Sequence, residues 1–189
     1  MDNNYIFQYW EAIQNGTVTV GKWIKTIYEI LVNGLKSGKW DFDEEKANKA
    51  INFIENFCHH SEGRNDLLKL ELWQKAIVSA IFGIMDKRTG YRQFREVFIV
   101  VARKNGKTLF AAAIAAYMAY IDGEYGAKVY FLAPKLDQAD LVYDAFYQIV
   151  QADDELDSIT KKRRSDIYIK EFNTLSLIHI SEPTRLALI

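Results

Sequence analysis

The segment VARKNGKT, residues 101–108, is the feature that most constrains the fold of this chain. It follows the run EVFIVV, residues 96–101, which is apolar on both faces, as a buried parallel strand is. It precedes an alanine-rich stretch that predicts a helix from Gly106 to about Asp122. A strand, a loop ending in Gly-Lys-Thr and a helix, in this order, are typical of phosphate-binding loops.

The loop departs from the common pattern G-x-x-x-x-G-K-[ST], because Val101 stands where the first glycine is expected. Gly106 still allows the backbone to approach phosphates, and the following helix N-terminus favours an anion. Lys107 is expected to neutralise the β- and γ-phosphates, and Thr108 to ligate Mg²⁺. A chance Gly-Lys-Thr is the alternative, and the flanking strand and helix favour nucleotide binding over it.

Two cations, Arg103 and Lys104, occupy the part of the loop that lacks glycine. An arginine here can reach the γ-phosphate of the same nucleotide and act as an arginine finger supplied in cis. The alternative is a surface arginine on an exposed loop. The backbone from Ala102 through Asn105 completes the predicted phosphate cradle.

The remaining periodicity predicts strands alternating with helices in the C-terminal half, which indicates a parallel sheet covered by helices on both faces. Residues 128–133 form the second buried-type strand, and residues 137–150 a helix with Leu141, Ala145 and Ile149 on one face. The N-terminal half predicts helices only. Their expected apolar positions are Val20, Ile24, Ile27 and Leu31; then Ala47, Ala50, Ile51 and Ile54 behind an N-cap at Asp43; then Trp73, Ile77, Ile81 and Ile84.

The composition excludes few classes of protein. With 189 residues and a net charge of −1, the chain has no overall attraction to nucleic acid, so any DNA contact needs a local patch. A single cysteine, Cys58, precludes an internal disulfide. The N-terminus lacks the pattern of a signal peptide, and the most apolar helix is shorter than the ~20 residues that span a bilayer.

Four weaker features have ordinary interpretations beside functional ones. Cys58-His59-His60 has no further ligand cluster, which argues against a metal site. The basic run 161–164 is a solvated surface or a DNA contact, and Lys135 with Gln138 lies at a capped turn or a coupling site. The acidic run 152–155 is interpreted as a solvated helix end rather than a Walker B strand.

Several segments together resemble the large terminase subunits of tailed bacteriophages, and especially those similar to HK97-type terminases. ARKNGKT is similar to their phosphate loop, which typically lacks the first glycine and carries an early arginine. LELWQKAIVSAIFG resembles the upstream segment whose glutamine reads adenine, and this identifies Gln74 as that residue. The resemblance continues through YRQFREVFIV and DGEYGAKVYFLAPKLDQADLVYDAF, and covers about residues 5–173.

The resemblance implies an ATPase that uses ATP and Mg²⁺ to drive double-stranded DNA into a procapsid in the cytoplasm of an infected bacterium. It implies as partners the DNA, a small terminase subunit, the portal protein and further copies in a ring, with no membrane. The full-length protein would also have nuclease activity. It implies an α/β P-loop NTPase fold of the ASCE type, a parallel sheet flanked by helices, here truncated.

The expected organisation is a helical appendage at residues 1–70, an incomplete ATPase domain at 71–173 and a non-native tail at 174–189. The tail is so interpreted because SLIHISEPTR is similar to a translated sequencing adaptor. No Asp-Glu pair follows a predicted strand, so the chain is expected to be inactive as an ATPase. The alternatives are another P-loop motor, such as a superfamily 2 helicase, against which Val101 counts, and an inactive nucleotide-binding module.

Overall fold

The computed structural model describes residues 4–60, 66–122, 126–133, 136–162, 166–170 and 174–180, with the backbone alone for residues 136–137 and 174–180. The chain divides into two compact units. The first combines residues 1–55 with 69–100, and the second combines residues 56–68 with the chain from residue 101 onward.

The first unit is built mainly from helices: α1 (Tyr5–Gln14), α2 (Lys22–Lys36), most of α3 (Glu44–Phe57) and α4 (Leu72–Gly83). Two short strands, β1 (Asp41–Phe42) and β2 (Ile84–Met85), pair antiparallel. The core of this unit contains Ile6, Tyr9, Ile13, Tyr28, Leu31, Val32, Trp40, Ala76 and Ile84.

Side chains cap three of these helices where they begin. Asn4 accepts a hydrogen bond from the Ile6 N–H at 3.0 Å at the start of α1. Asp43 accepts one from the Lys46 N–H at 3.0 Å at the start of α3, which confirms the predicted cap. Glu71 and Gln74 form a reciprocal capping box on α4. Such caps satisfy N–H groups that have no partner within the helix.

The predicted buried face of α2 is wrong. Of its four positions only Leu31 is buried, because Val20 precedes the helix and Ile24 and Ile27 are exposed. The observed face contains Tyr28, Leu31, Val32 and Gly34. The Tyr28 ring meets the Tyr9 ring edge-on at 4.8 Å, and this contact helps to set which face of α2 points inward.

The predicted face of α4 is wrong at two of its four positions, since Trp73 packs against the core and Ile84 is buried. Helix α4 ends at Gly83, so Ile84 lies in β2, and Ile77 and Ile81 are only half-buried. The buried positions are Gln74, Ala76, Val78, Ser79, Phe82 and Gly83. Small residues allow closer packing here, since a Cβ at Gly83 would lie 2.6 Å from the Phe42 ring.

The second unit is a layer of helices on a sheet. Its elements are α5 (Lys107–Tyr120), β3 (Lys128–Ala133), α6 (Leu136–Ala152), α7 (Asp154–Ile159), β4 (Thr160–Lys162), β5 (Asp166–Ile169) and β6 (Thr174–Ile180). The strands lie in the order β3-β6-β5-β4, with β3 and β6 parallel and the other pairs antiparallel. On the side covered by α6, the Phe131 ring lies 6.1 Å from Tyr143 and 5.7 Å from Phe146.

Helices α5 and α6 and strand β3 confirm the two helices and the strand predicted after the loop. On α6, Ala145 and Ile149 are buried as expected, but Leu141 is exposed. Strand β3 buries only one face, because Tyr130 and Leu132 are also exposed. The sheet is therefore covered on one side within the described residues.

The predicted strand at residues 96–101 is not formed. Phe98 is 93% exposed and Val100 79% exposed, and no strand of the described chain pairs with this segment. A strand needs hydrogen-bonded neighbours and a face to bury, so an apolar sequence alone does not produce one.

Within the part of the chain that is described, no helix combines the length and the hydropathy needed to cross a membrane.

Candidate functional site

The loop at residues 102–106 leads into the N-terminus of α5. Residues 102–107 are exposed, while Val101 and Thr108 at the two ends are half-buried. The side-chain amide of Asn105 donates a hydrogen bond to the Ala102 carbonyl at 3.4 Å, which joins the two ends of the turn. The loop is thus held by local contacts and open to solvent.

Two backbone positions give the loop its shape. Lys104 has φ of 67° and Gly106 has φ of 64°, both in the left-handed region, whereas Asn105 between them does not. Backbone of alternating handedness turns neighbouring N–H groups toward one side, and such concave arrangements bind anions. Lys104 is the one non-glycine residue with positive φ in the described chain, a conformation that costs roughly 1–2 kcal/mol.

The N-terminus of α5 adds further donors. Its N-cap is Gly106, and no side chain caps it. The first N–H groups of any helix lack partners within the helix, and the helix dipole makes that end positive. No acidic residue lies in the first turn of α5. The arrangement can therefore accept an anion such as a phosphate.

Three cationic side chains, Arg103, Lys104 and Lys107, surround this helix end. Among the described residues none of them forms an ion pair or hydrogen bond through its side chain. Thr108 follows within the first turn of the helix and carries a hydroxyl that can ligate a metal ion. Ala102 to Thr108 therefore lie together in a single short stretch of backbone.

Gln74 lies elsewhere, in the first compact unit, whereas the loop belongs to the second. It is 8% exposed, and its Oε1 accepts a hydrogen bond from the Glu71 N–H at 2.8 Å. The sequence interpretation missed this role, although a Gln three residues after a residue that accepts at an N-cap is itself a sign of a capping box.

The acidic run after α6 is a helix end, as predicted. Ala152 ends α6, and Asp153 caps α7 by accepting hydrogen bonds from the Glu155 and Leu156 N–H groups, both at 3.0 Å. The sequence missed the short helix that follows. No described strand is followed by an Asp-Glu pair.

The other weak features have mixed outcomes. Cys58 is fully buried, and burial together with the nearby Asp153 carboxylate raises the pKa of its thiol to about 12, so it stays protonated and unreactive.

Lys161 and Lys162 are exposed on β4, with the Lys162 Nζ 3.6 Å from the centre of the Tyr147 ring. Gln138 is exposed on α6, and Lys135, Arg163 and Arg164 lie outside the described residues.

Comparison with known proteins agrees with the resemblance. Residues 72–178 match the family model described as the ATPase domain of the terminase large subunit. The fold is similar to the crystal structure of the HK97 bacteriophage large terminase, with a TM-score of 0.62 and 24% identity over 72% of this chain. The chain spans 28% of the length of that terminase. Among proteins with curated descriptions, none matches.

Proposed function

Because the chain belongs to the family of terminase large subunit ATPase domains, we propose that it is the ATP-binding part of a bacteriophage DNA-packaging motor. The observation that carries the proposal is the left-handed glycine at an uncapped helix N-terminus, followed directly by Lys107 and Thr108. The HK97 large terminase shares the fold. A superfamily 2 helicase has no comparable support.

The phosphates of ATP are proposed to bind the N–H groups around Asn105 to Thr108. A Cβ added at Gly106 would have no atom within 4 Å, so this side of the loop is open to a ligand. The Lys107 ammonium neutralises the β- and γ-phosphates, and Lys104 adds positive charge from the opposite end of the turn.

Arg103 and Thr108 are proposed to act on the same phosphates. The Thr108 hydroxyl ligates Mg²⁺, which when bound neutralises charge on the β- and γ-phosphate oxygens. No residue of the described part of the chain holds the Arg103 guanidinium, which is proposed to reach the γ-phosphate and stabilise the charge that develops during hydrolysis.

The remaining assignments follow from family membership and are proposals for the whole protein. Gln74 contacts the adenine ring. ATP hydrolysis drives double-stranded DNA through the portal protein into the procapsid, with a small terminase subunit and further copies in a ring. A C-terminal nuclease cuts the DNA, and the complex works in the cytoplasm of the infected bacterium.

The organisation of the chain is proposed in three parts. Residues 1–70 form a helical appendage, residues 71–173 an incomplete ATPase domain, and residues 174–189 a non-native tail, of which residues 174–180 form β6. Sequencing the source locus beyond codon 174 tests the tail. An open reading frame that lacks SLIHISEPTR and continues into an apolar strand ending in Asp-Glu supports the non-native tail. The same SLIHISEPTR codons in native DNA contradict it.

A binding experiment tests the nucleotide site. The 189-residue chain is titrated with a fluorescent ATP analogue in Mg²⁺, beside Lys107→Ala and the control Lys170→Ala, which removes an exposed lysine away from the loop. Lys107→Ala is expected to weaken binding at least about tenfold, since a charge-assisted hydrogen bond contributes roughly 1.5–3 kcal/mol. Equal affinities for the two variants would contradict the proposed site.

The same chain is proposed to bind ATP without turning it over, because hydrolysis also needs a Walker B aspartate and a glutamate that activates water. Phosphate release is measured with ATP and Mg²⁺. Release is expected to stay at background, and release that disappears on Lys107→Ala would refute the inactivity.

A further inference from the structure

Glu55 lies in the last turn of α3, and its carboxylate contacts the beginning of α4. The Glu55 Oε1 accepts a hydrogen bond from the Leu70 N–H at 3.0 Å, just before α4 begins at Leu72. The Lys75 ammonium, in the first turn of α4, lies 3.1 Å from each of the two carboxylate oxygens. One carboxylate therefore holds the chain on both sides of the α4 N-terminus.

The α3 helix itself does not explain the position of Glu55. The helix dipole opposes a negative charge near a helix C-terminus, and α3 has no basic residue in its last turn. The same charge is favourable beside a helix N-terminus, and Glu55 occupies that place for α4. The contacts with α4 therefore account for a carboxylate at this position.

The ion pair between Glu55 and Lys75 is largely shielded from water. The two side chains are 17% and 21% exposed, and the Lys75 ammonium also lies 5.3 Å from the centre of the Tyr5 ring of α1. Removing two charges from water offsets much of their attraction, so such a pair adds little net stability compared with apolar residues. It does fix the geometry of the groups that it joins, here parts of α1, α3 and α4.

The groups that Glu55 holds flank Gln74. The Gln74 Oε1 accepts a hydrogen bond from the Glu71 N–H at 2.8 Å, and Glu55 takes the preceding N–H, that of Leu70. Lys75 is the next residue after Gln74, and its own N–H donates to the Glu71 carbonyl at 3.0 Å. The turn that carries the Gln74 carboxamide is therefore held from outside the helix by Glu55.

We propose that Glu55, through its ion pair with Lys75, is a positioning residue for the adenine contact of Gln74. The inference rests on the proposed role of Gln74. With the Oε1 occupied by the cap, the carboxamide NH₂ is the donor left to select a base, and its direction follows the first turn of α4. A recognition group must be held closely by its supporting residues, so loosening this turn weakens the choice of base. Glu55 acts through α4 and does not touch the nucleotide.

Competition binding of ATP and GTP to the 189-residue chain tests the positioning role, beside titration with inorganic tripolyphosphate, which has no base. Glu55→Gln keeps an oxygen for the Leu70 N–H and loses the charge that pairs with Lys75. The preference for ATP over GTP is expected to fall at least about threefold, while the affinity for tripolyphosphate stays unchanged. Asp41→Asn, which removes a carboxylate from the exposed ion pair with Lys87, is the matched control and is expected to change neither.

Lys75→Met removes the same ion pair from the other side and keeps most of the side-chain length. It is expected to lower the preference by a similar factor. Combining it with Glu55→Gln is expected to add little, because both substitutions remove one interaction. Thermal unfolding of each variant sets a temperature at which all of them are folded.

The outcomes separate this inference from the role of Gln74 itself. A preference that is unchanged in Glu55→Gln and Lys75→Met, while Gln74→Glu lowers it, would overturn the positioning role and leave the Gln74 assignment intact. If Gln74→Glu also leaves the preference unchanged, the adenine contact fails and the positioning role fails with it. Loss of tripolyphosphate binding in Glu55→Gln would mean general damage to the fold and would also overturn the proposal.

Discussion

At the scale of single residues, the loop depends on backbone conformations that side chains resist. Gly106 adopts the left-handed region where a Cβ crowds the backbone, and Lys104 adopts it despite carrying a side chain. The cost at Lys104 is consistent with a functional loop, since backbone strain is found most often at binding sites.

Gly106→Ala is expected to weaken ATP binding at least tenfold, because an alanine resists the left-handed conformation that shapes the loop. Gly90→Ala is the matched control. Both glycines have positive φ, 64° and 70°, and a Cβ added at either would have no atom within 4 Å. Each substitution is expected to cost about 1–2 kcal/mol in urea unfolding. Equal ATP titration curves for the two variants would contradict the role of Gly106.

Gln74 serves a structural role in this structure and is proposed to serve a recognition role as well. Its Oε1 is already used by the Glu71 N–H, so the carboxamide NH₂ is its remaining donor. The two roles can be separated, since a glutamate keeps the acceptor and loses the donor.

Gln74→Glu is therefore expected to retain the melting temperature of the wild type within a few degrees, while its preference for ATP over GTP falls. Gln74→Ala is expected to lose about 1 kcal/mol of stability as well, because the cap is gone. Competition binding with ATP and GTP, together with thermal unfolding, measures both effects. An unchanged nucleotide preference in Gln74→Glu would contradict the recognition role and leave Gln74 with its capping role alone.

At the scale of elements, α2 is positioned by a close contact with the Trp40 ring that its own sequence does not indicate. Gly34 lies inside the helix, where glycine normally weakens it by roughly 1 kcal/mol relative to alanine. A Cβ here would overlap the Trp40 ring, so glycine is needed for that ring to pack against α2. The Trp40 ring also meets the Phe94 ring edge-on at 5.7 Å.

Gly34→Ala is expected to destabilise the chain by about 1–3 kcal/mol, because overpacking outweighs the gain in helix propensity. In a Trp40→Leu background the same substitution is expected to be neutral or stabilising, since the ring is gone. Urea unfolding of the four chains gives the coupling energy. A destabilisation of equal size in both backgrounds would exclude the clash with Trp40.

Elements that periodicity and helix caps indicate were predicted better than elements that depend on a partner elsewhere in the chain. Helices α5 and α6 agree with the predicted segments to within about two residues, because their signals are local. Residues 96–101 have the composition of a buried strand but no described strand beside them, so they form no strand, and residues 96–100 are exposed. The buried faces of α2 and α4 also depend on distant residues.

At the scale of the whole molecule, β6 joins the two parts of the sheet. It pairs with β3 on one side over residues 175–180 and with β5 on the other over residues 174–177. Without it, β3 and β5 each present an unpaired edge, and such edges promote association with other chains. The family match ends at residue 178, within this strand.

A chain ending at residue 173 is expected to aggregate and to lose cooperative unfolding of the second unit, because β6 is removed from between two strands. A chain ending at residue 180 keeps β6 and is the control. Light scattering and thermal unfolding followed by circular dichroism measure both properties. Soluble, cooperative unfolding of the shorter chain at the melting temperature of the control would contradict the role of β6.

The sequence alone determined the helical segments, the loop from Ala102 to Thr108 and the likeness to terminases, because these depend on neighbouring residues and on short motifs. The tertiary structure decided which faces are buried and that residues 96–101 find no strand to pair with. Those outcomes depend on contacts between residues far apart in the chain, which periodicity does not encode.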